Sequence, residues 1–133
     1  LEKYCQVLNI EVETMLEMIN KDILPAVFKY MNAISDTVIK VKQAFPEAEC
    51  SAEKILLQKL DSHVNNLSKK ADEIWIKHNE ANKLTNIMEC AKAYANDILP
   101  AMEEARYFAD EMEPLLGEEY KPFPSYEDLL FRI

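Results

Sequence analysis

Glycine is almost absent from this sequence, with one residue, Gly117, among 133. Average proteins contain about 7% glycine. Phosphate-binding loops, dinucleotide fingerprints and nucleophile elbows all need several glycines where the backbone turns tightly or approaches a ligand. Because one glycine cannot supply any of these motifs, the sequence excludes nucleotide-binding loops and hydrolase elbows of those types.

Positive charge is also scarce, since 15 Lys and Arg stand against 24 Asp and Glu, a net charge of −9. Nucleic-acid binding needs clustered Lys and Arg, and the adjacent pair Lys69-Lys70 is better explained as a solvated helix face. No run of about 18 apolar residues is present, so we expect no membrane contact. The chain begins at Leu1 without a methionine, which indicates a fragment of a longer protein, and it shows no signal peptide.

Cysteine and histidine are too few and too far apart for the usual metal sites. Cys5, Cys50 and Cys90 predict buried free thiols, because they form neither a disulfide framework nor a metal knuckle. His63 and His78 lie about 22 Å apart along a helix and lack the Glu-x-x-His spacing of di-iron bundles. We therefore predict no catalytic, cofactor-binding or metal-binding residue, and we expect both histidines at the surface or partly buried.

Apolar residues recur at steps of three and four along three long stretches, which is typical of amphipathic helices. These stretches predict helices over residues 1–44, 51–79 and 83–116. We expect Ser51 to cap the second helix and Gly117 to end the third in a left-handed conformation. No stretch alternates with period two. Three helices that each have one apolar face can bury those faces only against one another. The sequence therefore predicts an all-α domain over 1–133, an antiparallel three-helix bundle.

The sequence Asp-Ile-Leu-Pro-Ala occurs twice, at 22–26 and at 97–101. A proline inside a helix costs about 3 kcal/mol because it removes a donor and clashes with the preceding turn. Since the apolar stripes continue across both sites, a kink at Pro25 and at Pro100 is favoured over a restart capped by the aspartate. The flanking residues do not repeat, which argues against a duplicated helix.

The last segment, 117–133, differs from the helical stretches. Its prolines predict extended backbone, and the following Ser-Tyr-Glu-Asp is typical of the start of a short capped helix. Its apolar side chains need a surface to cover, either on the bundle or on another molecule. With the two repeat prolines they form our set of structural or interface candidates: Pro25, Pro100, Pro122, Phe123, Pro124, Tyr126, Leu129, Leu130 and Phe131.

Several blocks of sequence resemble one enzyme family, in the order in which that family carries them. The blocks are LEKYC at 1–5, LNIE at 8–11, ETML at 13–16, KDILPAV at 21–27, DILPAM at 97–102 and PFPSYEDLLF at 122–131. They are similar to the C-terminal region of type III glutamine synthetases. Residues 43–89 carry no motif that matches.

The resemblance implies a parent enzyme of the bacterial cytoplasm that joins glutamate and ammonia at the expense of ATP, with divalent metal, as a ring-shaped homo-oligomer. The family's metal-binding carboxylates, substrate-binding residues and catalytic arginines lie upstream, so no cofactor is expected in this segment. We therefore predict a non-catalytic domain that packs on the catalytic core and on neighbouring subunits and supports oligomer assembly. The alternative is a regulatory or partner-binding bundle without enzymatic activity.

Overall fold

The computed structural model describes residues 1–121, and the predicted short helix near the chain end lies outside this range. All regular structure within 1–121 is helical, without strands, which confirms the all-α prediction. The first of three helical runs comprises α1 (Glu2–Met18), a π-helical turn (Ile19–Ile23) and α2 (Leu24–Ala44). The second is α3 (Ser51–Asn82), and the third comprises α4 (Ile87–Ala93), a second π-helical turn (Tyr94–Ile98) and α5 (Leu99–Met112). Two 3-10 turns follow, Glu113–Leu115 and Glu118–Tyr120.

The long helix α3 occupies the centre of the core. Its buried residues recur at steps of three and four and therefore lie on one face: Leu60, Val64, Leu67, Ala71, Ile74, His78 and Ala81. This face packs against α1, α2, α4 and α5. Burial of each large apolar side chain contributes about 1.5–3 kcal/mol, so the stripe holds the three runs together. None of the helices in 1–121 has the length and apolarity needed to cross a bilayer.

A π-helical turn precedes each repeat proline. In both turns the N–H of the leucine before the proline bonds to the carbonyl five residues earlier, that of Ile19 or of Tyr94. Proline has no N–H, and its ring clashes with the carbonyl four residues before it. The wider turn accommodates that ring without ending the helical run, and Pro25 and Pro100 stand near the starts of α2 and α5 without a side-chain cap.

The start of α3 differs from the prediction that Ser51 caps it. The N-cap is Cys50, which is left-handed with φ 52° and ψ 37°, and no side chain caps the helix. A left-handed non-glycine residue costs about 1–2 kcal/mol. The Cys50 side chain is buried but does not belong to the apolar core, and the helix begins one residue earlier than a serine cap would place it.

The end of the third run also differs from the prediction that Gly117 ends it in a left-handed conformation. α5 ends at Met112, since Pro114 in the following 3-10 turn has no N–H for a helical hydrogen bond. Gly117 is extended, with φ −63° and ψ 146°. A Cβ at this position would lie 3.4 Å from the Tyr30 ring, an ordinary van der Waals distance, so neither the backbone nor this contact requires glycine.

Candidate functional site: a buried polar cluster beside an open groove

Two polar side chains lie in the core where the three runs meet. His78 continues the buried stripe of α3, four residues after Ile74, and is 1% exposed. Tyr94, the first residue of the second π turn, is fully buried. A buried polar group left without a partner costs about 1–3 kcal/mol, so both side chains need hydrogen bonds.

His78 is paired through both ring nitrogens. Nδ1 lies 3.1 Å from the Tyr94 hydroxyl, and Nε2 lies 3.4 Å from both Glu13 Oε1 and Asn82 Nδ2. A neutral imidazole has one donor and one acceptor nitrogen. With the proton on Nδ1, Nε2 accepts from the Asn82 amide. With the proton on Nε2, the ring donates to Glu13 and Nδ1 accepts from the Tyr94 hydroxyl, so either tautomer is satisfied.

Two asparagines complete this arrangement. Asn82 Nδ2 donates to Asn9 Oδ1 at 3.0 Å. The Tyr94 hydroxyl lies 3.3 Å from Asn9 Oδ1 and 3.2 Å from Asn82 Oδ1, and its single proton goes to one acceptor at a time, either one of these oxygens or an unprotonated His78 Nδ1. We call Asn9, Glu13, His78, Asn82 and Tyr94 the polar cluster. Its members come from α1, α3 and the second π turn, so it connects all three runs.

Burial, and then the neighbouring Cys90, Cys5 and Glu13 groups, raises the pKa of Tyr94 to about 12. Burial and a hydrogen bond with Cys5 also raise the pKa of the Cys90 thiol. Tyr94 is therefore a neutral hydroxyl at physiological pH, and the protonated Cys90 is a poor nucleophile. The arrangement fixes neutral polar groups in the core. All three cysteines are free and buried, which confirms that prediction.

An open groove of about 540 Å³ lies beside the polar cluster, between the first run and α3. It is lined by Glu13, Leu16, Glu17, Asn20, Lys21, Ala71, Asp72 and Trp75. Leu16 and Ala71 are buried and form its floor. Trp75 is 52% exposed, and its ring centroid lies 6.2 Å from that of His78. We call this the Trp75 groove, and Glu13 belongs both to it and to the polar cluster.

Two of the nine structural or interface candidates lie in the described residues. Pro25 is half-buried and lines a second cavity, of about 420 Å³, with Lys21, Lys29 and Tyr120. Pro100 is exposed, and neither proline belongs to the polar cluster or the Trp75 groove. The other seven lie outside the described residues: Pro122, Phe123, Pro124, Tyr126, Leu129, Leu130 and Phe131.

The polar cluster was not predicted from the sequence. The expectation that His78 is at the surface or partly buried is wrong, whereas His63 is partly buried. A signal existed, because His78 is in step with the apolar stripe through Ala71 and Ile74. Its partners Tyr94 and Glu13 lie 16 and 65 positions away, and helical periodicity does not reveal contacts over such separations.

Comparison with known proteins relates this chain to one family. Residues 1–42 match the family model described as the glutamine synthetase C-terminal domain. The chain is 31% identical to a glutamine synthetase of Butyrivibrio fibrisolvens over 133 residues, which are 100% of this chain and 19% of that protein. This chain is related to the C-terminal region of glutamine synthetases.

A glutamine synthetase of Bacteroides fragilis (strain YCH46) is 28% identical over 135 residues, which cover 98% of this chain and 18% of that protein. The chain thus spans about a fifth of the length of the glutamine synthetases it matches. The Butyrivibrio alignment includes residues 43–89, where no family motif is recognisable, so the resemblance is confirmed and extends over the full length. No solved structure matches the chain.

Proposed function

We propose that this chain is the C-terminal domain of a type III glutamine synthetase, without catalytic activity of its own, and that it supports assembly of the oligomer. The match to two glutamine synthetases, of which the chain spans about a fifth, supports this proposal. In the type III family the metal-binding, substrate-binding and catalytic residues lie upstream. The parent enzyme joins glutamate and ammonia at the expense of ATP with divalent metal, and this domain contributes none of the reacting groups.

An exposed apolar surface at the starts of α1 and α4 carries the assembly role. Leu1 and Tyr4 line an open cavity of about 370 Å³ there, with Ala91 and Ala95, and Met88 lies one helical turn before Ala91. Leu1, Tyr4 and Met88 are 58%, 39% and 48% exposed. The lining also includes Lys92 and Asn96, and an apolar centre with a polar edge is typical of protein interfaces. We call Leu1, Tyr4, Met88, Ala91 and Ala95 the end surface, and we infer that it packs on the catalytic core or a neighbouring subunit.

We further propose that the three helical runs are antiparallel and that the first and third runs bend at Pro25 and Pro100. Bends are supported by the two π turns, because such turns and prolines are common causes of kinks. Antiparallel packing is supported by four contacts between runs. In neighbouring runs, a higher residue number on one run is paired with a lower residue number on the other. The pairs are Asn9–Asn82, Glu13–His78, Lys70–Glu104 and His78–Tyr94.

We place the parent enzyme in the bacterial cytoplasm as a homo-oligomer, so the partners of this domain are the rest of its own chain and subunits of the same kind. The net charge of −9 supports protein partners over nucleic acid, because phosphate binding requires clustered positive charge. The apolar end surface supports the same assignment, since a protein interface buries apolar side chains at its centre.

Deletion of residues 1–133 from the parent enzyme tests the assembly role. We expect a smaller particle in sedimentation velocity and a loss of synthetase activity, because the end surface no longer joins subunits. Wild-type activity together with wild-type particle size after the deletion would refute the proposal.

Two matched double variants distinguish a specific role of the end surface from a general effect of removing exposed apolar side chains. Tyr4→Ser with Met88→Ser removes two exposed end-surface side chains, whereas Ile39→Ser with Ile55→Ser removes two that are 55% and 52% exposed elsewhere. We expect the first pair to lower the particle size of the parent enzyme and the second to leave it unchanged. Equal effects of the two pairs would show that the end surface has no specific part in assembly.

The alternative function, a regulatory or partner-binding bundle, is favoured by the Trp75 groove. Trp75 is a large aromatic side chain that is half-exposed beside charged side chains. Such exposure is unusual, and tryptophan is enriched at sites of recognition. A screen of the chain for bound partners by calorimetry tests this alternative, and no detectable binding would count against it.

A further inference from the structure

We propose that the Trp75 groove binds a basic polypeptide segment, with an arginine side chain stacked on Trp75 and paired with the carboxylates of Glu17 and Asp72. This inference deepens the partner-binding alternative and does not depend on the assembly role. The occupant is thus a protein partner of positive charge, recognised through its guanidinium groups.

The charges that line the groove favour a cation. Glu13, Glu17 and Asp72 supply three carboxylates, and Lys21 supplies one ammonium group. Lys21 pairs with Glu17 at 3.5 Å, but both side chains are well exposed, and ion pairs of this kind are weak and easily replaced. Asp72 has no ion pair within residues 1–121. The lining therefore has an excess of negative charge that an incoming cation neutralises.

Trp75 makes a guanidinium group the best-suited cation. Asp72 and Trp75 lie three residues apart on α3 and therefore share a face of the helix. A planar guanidinium stacks on an aromatic ring and still presents its N–H donors at the edge, where carboxylates accept them. An ammonium group lacks this planar geometry, so lysine fits the same site less well.

The floor of the groove is held in shape before anything binds. It consists of the buried side chains of Leu16 and Ala71. The Glu13 carboxylate lies 3.4 Å from Nε2 of the buried His78, which restricts its position at one wall. A site that is already ordered loses less conformational entropy when it binds a partner.

The dimensions favour a polypeptide over a single small cation. The wall from Glu13 to Lys21 spans about 12 Å along its helix axis, and the volume is about 540 Å³. One guanidinium group stacked on Trp75 leaves most of this length open. The net charge of −9 over the whole chain also attracts a basic segment at long range.

Fluorescence of Trp75 provides the test, because it is the only tryptophan in the chain and lies in the groove. The 133-residue chain is titrated with an acetylated peptide that carries four arginines separated by serines. We expect a saturable change in Trp75 emission that weakens with added salt. The same peptide with neutral citrulline in place of arginine should produce no change, and the lysine peptide should bind about three-fold more weakly, as expected for a weaker cation–π contact.

Two charge variants establish where the peptide binds. Glu17→Gln with Asp72→Asn should weaken binding by about ten-fold, since two charge pairs are lost, and circular dichroism should remain unchanged because both residues are exposed. Glu103→Gln, an exposed carboxylate of α5 outside the groove, is the matched control and should bind like the wild type.

Three results would overturn the inference: unchanged Trp75 emission, equal binding of the citrulline peptide, or equal affinity of the double variant. Binding of N-acetylarginine amide as tightly as the peptide would also overturn it, because the occupant would then be a small molecule. None of these results bears on particle size or synthetase activity of the parent, so failure here is distinguishable from failure of the assembly role.

Discussion

The two π-helical turns, Ile19–Ile23 and Tyr94–Ile98, precede the same Leu-Pro-Ala sequence and share one backbone hydrogen-bond pattern, yet they begin with different residues. Ile19 and Tyr94 are both fully buried. Ile19 is wholly apolar, whereas Tyr94 carries a hydroxyl that reaches His78. The repeated sequence therefore determines the local backbone, while the first residue of each turn determines the chemistry at that level of the core.

Each π turn also borders one of the two surfaces to which we assign a role. Asn20 and Lys21 of the first turn line the Trp75 groove, and Ala95 and Asn96 of the second line the cavity at the end surface. π-helical turns are frequent at functional sites. The turn that begins with the apolar Ile19 thus adjoins the charged Trp75 groove, whereas the turn that begins with Tyr94 adjoins the end surface.

Among the changes that distinguish the two turns, His78→Ala should have the largest effect on stability. This change opens a cavity and leaves the Tyr94 hydroxyl with one partner fewer, so we expect a loss of about 3 kcal/mol in the free energy of unfolding. The measurement is urea denaturation at pH 7.5. The control is His63→Ala, since His63 is only partly buried, and its cost should stay below about 1 kcal/mol. Equal losses would show that the second turn does not depend on its polar partner.

A smaller, pH-dependent effect is expected from Tyr94→Phe, which removes the hydroxyl and should cost about 1–2 kcal/mol at pH 8. The pKa of Tyr94 is raised to about 12 in the folded chain, compared with about 10 in the unfolded chain. The neutral hydroxyl therefore contributes stability that is fully present below pH 10 and is lost as the pH rises towards 12. About 2–3 kcal/mol is at stake, and the advantage of the wild type over the variant should disappear within this window.

The first π turn provides the control for this pH effect. Ile19→Val removes one buried methylene group from the corresponding position and should cost about 1 kcal/mol, by the same amount at pH 8 and at pH 11. Unfolding curves recorded by circular dichroism across this range compare the two variants. A pH-independent cost of Tyr94→Phe would contradict the assigned role of the hydroxyl.

The proline pair should behave alike if the repeated sequence alone determines the backbone. Pro25→Ala and Pro100→Ala each restore a backbone donor and each enlarge the unfolded ensemble, which costs about 0.4–1 kcal/mol. Since these effects oppose each other, we expect both variants within about 1 kcal/mol of the wild type and of each other, measured by thermal unfolding. A large loss at one site alone would mean that tertiary packing maintains that turn.

The helical class was predictable because three- and four-residue periodicity is local information. The end of the first run was equally accessible, since Pro46 forces Phe45 into the extended conformation observed. The N-terminus of α3 was not, because the left-handed conformation of Cys50 does not follow from local capping preferences. Local rules also fail for the polar cluster, whose hydrogen bonds join residues far apart in the chain.

The starts of the first and third runs differ as well, and this difference leads to the smallest expected effect. α1 follows Leu1 without a side-chain cap, whereas Asn86 Oδ1 accepts from the N–H groups of Met88 and Glu89 at 2.9 and 3.1 Å. Asn86→Ala should therefore cost about 1 kcal/mol, measured by urea denaturation, while Asn86→Asp should retain the cap.

The effect of Asn86→Ala should also be local. α4 has only seven residues before the second π turn, so its amides depend on the cap for protection and should exchange faster in the variant. The amides of α1 have no cap to lose and serve as the internal reference. If amide exchange became faster by the same factor in both helices, the variant would weaken the whole fold. The N-termini of α1 and α4 would then not be independent units.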